Sequence, residues 1–140
     1  MLTACSQPRG IKPGDTQVVA QWVLDDSDGG KGSFANALSE ISHMFERMTL
    51  EAKVDAACKE VCFLDGNDIG GGTYNLYLYT QDVRSTVKLL VDLEDAHRIP
   101  PNLRIGVARY ADREHKNWTY DPVYPQGLQS FDISYSLNRK

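Results

Sequence analysis

The stretch from Glu60 to Thr80, EVCFLDGNDIGGGTYNLYLYT, constrains the fold of this chain more than any other. Its second arm, Tyr74 to Thr80, alternates Leu76 and Leu78 against Asn75, Tyr77 and Tyr79. Alternation with period two, rich in aromatics, is what a half-buried strand requires, because successive side chains face opposite ways. The first arm, Glu60 to Leu64, is short and apolar. Between the arms, Asp65 to Ile69 and three consecutive glycines, Gly70 to Gly72, supply residues that tolerate a tight reversal. The stretch reads as a β-hairpin with its turn over 65–72.

The remaining elements fall around this hairpin. Residues 1–15, with Pro8, Gly10, Pro13 and Gly14, lack periodicity and read as an arm. Thr16 to Leu24 is a largely apolar strand that stops at the polar cluster Asp25-Asp26-Ser27-Asp28-Gly29-Gly30. Ser33 is positioned to cap a helix whose apolar stripe is Phe34, Leu38, Ile41, Phe45 and Met48, continuing through Ala52 and Ala56. After the hairpin, Thr80 or Asp82 caps a second helix with Val83, Val87, Leu90 and Val91 inward, halted by Pro100-Pro101. Leu103, Ile105 and Val107 then alternate with Arg104, Gly106 and Ala108 as a fourth strand. The order βαββαβ over 16–110 predicts an α+β, ferredoxin-like sandwich, an antiparallel sheet with two helices on one face. The extension 111–140 carries Trp118, Tyr120 and Tyr124, then an alternating segment, Phe131, Ile133 and Tyr135, expected to add a short strand or to cover the sheet. At 140 residues this is one domain.

Composition narrows the function. A net charge of −4 argues against a nucleic-acid partner, which needs clustered Lys and Arg. No apolar run of about 18 residues is present to make a spanning helix. Cys58 and Cys62 stand four apart, neither the CxxC redox spacing nor half of a zinc site, and read as buried reduced thiols of a cytoplasmic protein. Leu2-Thr3-Ala4-Cys5 has the form of a lipoprotein box without the basic and apolar segments that precede one. A membrane attachment is therefore expected only if the chain is lipidated at Cys5 on a longer start. No cofactor is implied, and GxSxG, HExxH, P-loop and GxGxxG motifs are absent.

Asp65, Gly66, Asp68, Gly70, Gly72, Asn75, Leu76 and Tyr77, after a strand ending Leu24-Asp25-Asp26, resemble a set of small bacterial ferredoxin-like proteins. Their shared signature is DGxDxGxG followed by an NLYLYT-like strand, and the likeness covers Val18 to Tyr110. The resemblance implies the fold and, by analogy of type, an immunity protein that neutralises a bacterial toxin.

The predicted topology brings Asp25, Asp26 and Asp28 to the same end as Asp65 and Asp68, with Asp92, Glu94 and Asp95 nearby. Such a rim favours something cationic. A basic toxin domain docking there is the expected partner, alongside the plainer reading of a solvated loop rim. A divalent metal site fits poorly: Ile69 and Leu76 occupy the third ligand and closing glutamate places of an EF-hand, so no metal ligands are assigned. Tyr77 and Tyr79 on the open sheet face, and Trp118 in the extension, complete the candidate partner-binding set. No catalytic residue is assigned. The alternative is a small metal-dependent or acid–base enzyme using Asp25, Asp26, Asp65 and Asp68.

Overall fold

The computed structural model describes residues 10–23, 48–70, 72–110 and 118–133. Its strands are β1 (Thr16–Val23), β2 (Cys62–Gly70), β3 (Thr73–Thr80), β4 (Arg104–Tyr110) and β5 (Trp118–Tyr124). They form one antiparallel sheet in the order β2-β3-β1-β4-β5. Among the described residues two helices accompany the sheet in an α+β fold: α1, described over 48–58, and α2 (Val83–Asp95). The order departs from a simple four-stranded βαββαβ sheet because β5 extends it beyond β4. Pro122 sits in this edge strand, where a missing N–H costs least.

Four-residue spacing brings Leu50, Val54 and Cys58 to one side of α1, and all three are buried. They share a core with Leu90 of α2, Val18, Ala20 and Trp22 of β1, Leu76 and Leu78 of β3, and Ile105 of β4. Met48, expected on the inward stripe, is instead 62% exposed, because the buried side of the turn is set by Leu50 and Val54. The proposed cap Ser33 and the stripe residues Phe34 to Phe45 lie outside the described residues. In α2, Asp82 is the cap, accepting from the backbone N–H of Ser85 at 3.0 Å.

Three expectations are corrected. The turn does not occupy 65–72: β2 runs on to Gly70, which pairs with Thr73, so the chain reverses between these two residues, with Gly72 at φ +85°. A register shift between Leu64 and Gly66 lets the polar run continue as strand, since a bulge absorbs one extra residue. Within the extension the added strand is β5 (Trp118–Tyr124) and not the Phe131 segment. Phe131–Ile133 meets the other expectation by crossing the sheet as a non-strand cover, while Tyr135 lies outside the described residues. Cys58 and Cys62 are buried as foreseen but joined in a disulfide, so they are not reduced thiols. The cystine ties the end of α1 to the start of β2. Its loop is short, so its reduction is expected to cost about 2 kcal/mol, the low end for a disulfide. Thermal unfolding with and without a reductant checks this.

Glu94 at the end of α2 does not face a solvent rim. It accepts from the Leu103 backbone N–H at 2.8 Å and from the Tyr124 hydroxyl at 2.7 Å, joining α2 to β4 and β5. This hydrogen bond, with burial and the carboxylate charge behind it, pushes the Tyr124 phenol up to about 12. A raised phenol favours the neutral form in the folded state. Its stabilisation is therefore complete below pH 10 and is lost as pH rises from about 10 to about 12. Tyr124→Phe is expected to flatten that alkaline loss, read as the melting temperature between pH 9 and 12.

Candidate protein-binding face

The face of the sheet turned away from this core is built from rows of cross-strand neighbours. One row is Phe63, Tyr79, Gln17, Ala108 and Tyr120; the next is Gly66, Tyr77, Val19, Gly106 and Pro122; the third is Asp68, Asn75, Gln21 and Arg104. Period two in each strand places these residues together.

Polar contacts follow the register. Gln17 Nε2 donates to Tyr79 Oη at 2.9 Å, and Tyr120 Oη donates to Gln17 Oε1 at 2.6 Å. Gln21 Nε2 donates to Asn75 Oδ1 at 3.1 Å, and Asn75 Nδ2 donates to Asp68 Oδ1 at 2.9 Å. Tyr77 Oη donates to the other Asp68 oxygen at 2.9 Å. Burial first, then this hydrogen bond and the nearby carboxylate charge, hold the Tyr77 phenol well above its ordinary range.

The segment after β5 covers the β4 side of the face. Phe131, 3% exposed, sits over Gly106, with its ring 5.7 Å from that of Tyr120 and beneath the Arg104 guanidinium at 6.0 Å. Side chains of the sheet hold its backbone: Gln21 Nε2 reaches Asp132 O at 2.7 Å, and Thr73 Oγ1 reaches Ile133 O at 2.7 Å. Asn75 Nδ2 reaches Ile133 O at 3.2 Å, and Arg104 Nη2 reaches Ser130 O at 3.2 Å. The described part of this cover reaches Ile133, over the centre of the sheet. Phe63, Gly66, Tyr77 and Tyr79 on the β2 side remain partly exposed, and Asp68 is exposed.

The sequence-based site set divides accordingly. Asp68, Tyr77 and Tyr79 share this face. Asp65 lies at the register shift of β2, exposed, away from the end of the sheet. Asp25, Asp26 and Asp28 lie outside the described residues, as does the side chain of Trp118, whose backbone opens β5 opposite Tyr110. The other rim carboxylates are engaged within the chain in two cases: Asp92 pairs with Lys88 at 2.7 Å, and Glu94 holds Leu103 and Tyr124. Among the described residues no three His, Cys, Asp or Glu side chains are grouped to hold a metal ion, and no helix is long and apolar enough to cross a membrane.

Gln17, Gln21 and Gly106 escaped the sequence reading. Their signal was present: two glutamines four apart in an otherwise apolar strand share one face, and a lone glycine interrupts β4 where Phe131 needs room. Neither a family model, nor a curated protein, nor a solved structure matches the chain.

Proposed function

We propose that the chain is a non-catalytic protein-binding module on a ferredoxin-like frame, an immunity protein that neutralises a basic toxin domain. The observation that carries this reading is the β2 side of the open face. There Phe63, Tyr77 and Tyr79 lie partly exposed beside the exposed carboxylate of Asp68. Tyrosines offer large contact area at small entropic cost, and anionic groups beside them select a cationic partner. Asp65 on the same edge strand adds to the negative field in this reading. The buried cystine favours an oxidising compartment over the cytoplasm, in keeping with the lipoprotein alternative at Cys5.

Co-expression with the product of the neighbouring gene tests the proposal. A one-to-one complex is expected, with loss of toxicity, and its affinity should fall about tenfold when Asp65 and Asp68 are both reversed to Lys. A toxic neighbour that this chain neither binds nor neutralises would overturn the immunity reading.

A further inference from the structure

We propose that the β2 side of the open face is a docking site for an arginine side chain of a basic partner, its guanidinium stacked on the Tyr77 and Phe63 rings and paired with Asp68. This rests on the protein-binding reading above and names the chemistry the face selects.

Charge and shape both favour this occupant. Among the described strand residues of this face, Arg104 is the one cation, and its guanidinium is committed to Phe131 and the Ser130 carbonyl on the β4 side. The other cations with described ion pairs point elsewhere: Lys88 to Asp92, and Arg109 to Asp121. The β2 side thus holds aromatic rings and a carboxylate with no described positive charge on its strands. Asp68 accepts one hydrogen bond on each oxygen, from Asn75 and from Tyr77. A carboxylate has about four acceptor positions, so capacity remains on an exposed group. The two in-chain donors also fix its plane, which suits the fork of a guanidinium better than the point charge of an ammonium. Arginine further stacks on aromatic faces.

Room for the side chain is provided at Gly66. It is the cross-strand neighbour of Tyr77, and a Cβ added there meets nothing within 4 Å. A longer side chain at 66 would occupy the space beside Tyr77, and a lysine there would also set a competing cation next to Asp68.

The probe is a nona-arginine peptide titrated into the full chain, followed by ring-proton shifts of Phe63 and Tyr77, with nona-lysine as the comparison. Shifts at these rings and at least fivefold tighter binding of the arginine peptide are expected. Gly66→Lys should weaken binding at least tenfold with no change in melting temperature, and Asp68→Asn should do the same to binding. Tyr77→Phe, which keeps the ring and frees one Asp68 oxygen, should retain it. Equal affinity for the two peptides, or indifference to Gly66→Lys, would overturn the arginine assignment. A toxin partner whose binding is still weakened by Phe63→Ala and Tyr77→Ala would then leave the broader reading standing, whereas one unaffected by both alanine variants would overturn both.

Discussion

Replacing Gly106 with valine is expected to unseat Phe131 and to destabilise the protein by about 3 kcal/mol, the size of effect seen when a buried aromatic is lost. The reason is close approach rather than backbone freedom. An added Cβ would stand 2.6 Å from Cγ of the Phe131 ring, a separation that neither a strand backbone nor a wedged ring can relieve cheaply. Displacing the ring exposes Val19, which is fully buried although it lies on the face away from the helices. For a domain of this size the melting temperature should fall by roughly 10 °C. Phe131→Ala should cost a similar amount. In that background Gly106→Val should cost little more, because the clash has been removed. Additive losses in the double variant would show that the two residues do not act as a pair.

Asn75→Ala is expected to cost about 3 kcal/mol by a different route. The amide is 1% exposed and serves four partners: it donates to Asp68, Thr73 and Ile133, and accepts from Gln21. Truncation leaves Gln21, Thr73 and the Ile133 carbonyl each short of one partner at a largely buried site, and a buried group short of a partner costs more than the bond itself was worth. Asn75→Asp is nearly isosteric, yet it places a second carboxylate against Asp68. That variant should be least stable near neutral pH and regain stability on acidification, as protonation relieves the like-charge contact. Urea unfolding at pH 4 and pH 7 separates the two explanations. A pH-independent loss in Asn75→Asp would point to packing rather than charge.

Much of the frame was legible because it rests on periodicity. Leu76 and Leu78 against Tyr77 and Tyr79, or Ile105 against Gly106, can satisfy only a strand covered on one side by apolar residues. The capping aspartate and the proline pair marked α2 for equally local reasons. What stayed hidden depends on the pairing of distant residues. The bulge at Asp65 changes which side of β2 faces the core, and no local pattern announces it: Asn67 reaches Glu51 on α1 while Asp68 turns to Asn75. Equally, Gln17 and Gln21 become parts of a network only once Tyr79 and Asn75 are opposite them. The acidic end read from the sequence loses Glu94 and Asp92 to in-chain partners for the same reason, since a carboxylate's role is set by what folds against it. The aromatic row beside Asp68 is the part of the candidate site that both readings share.

On the reading proposed above, the β2 side of the open sheet face receives a protein partner. Hydrogen–deuterium exchange of the chain alone and in complex with the basic partner proposed above tests it most directly. The account predicts added protection in peptides spanning Phe63 to Asp68 and Asn75 to Tyr79, with little change in α2. Protection confined to α2 and the loop 96–102, with the β2–β3 hairpin unchanged, would contradict it.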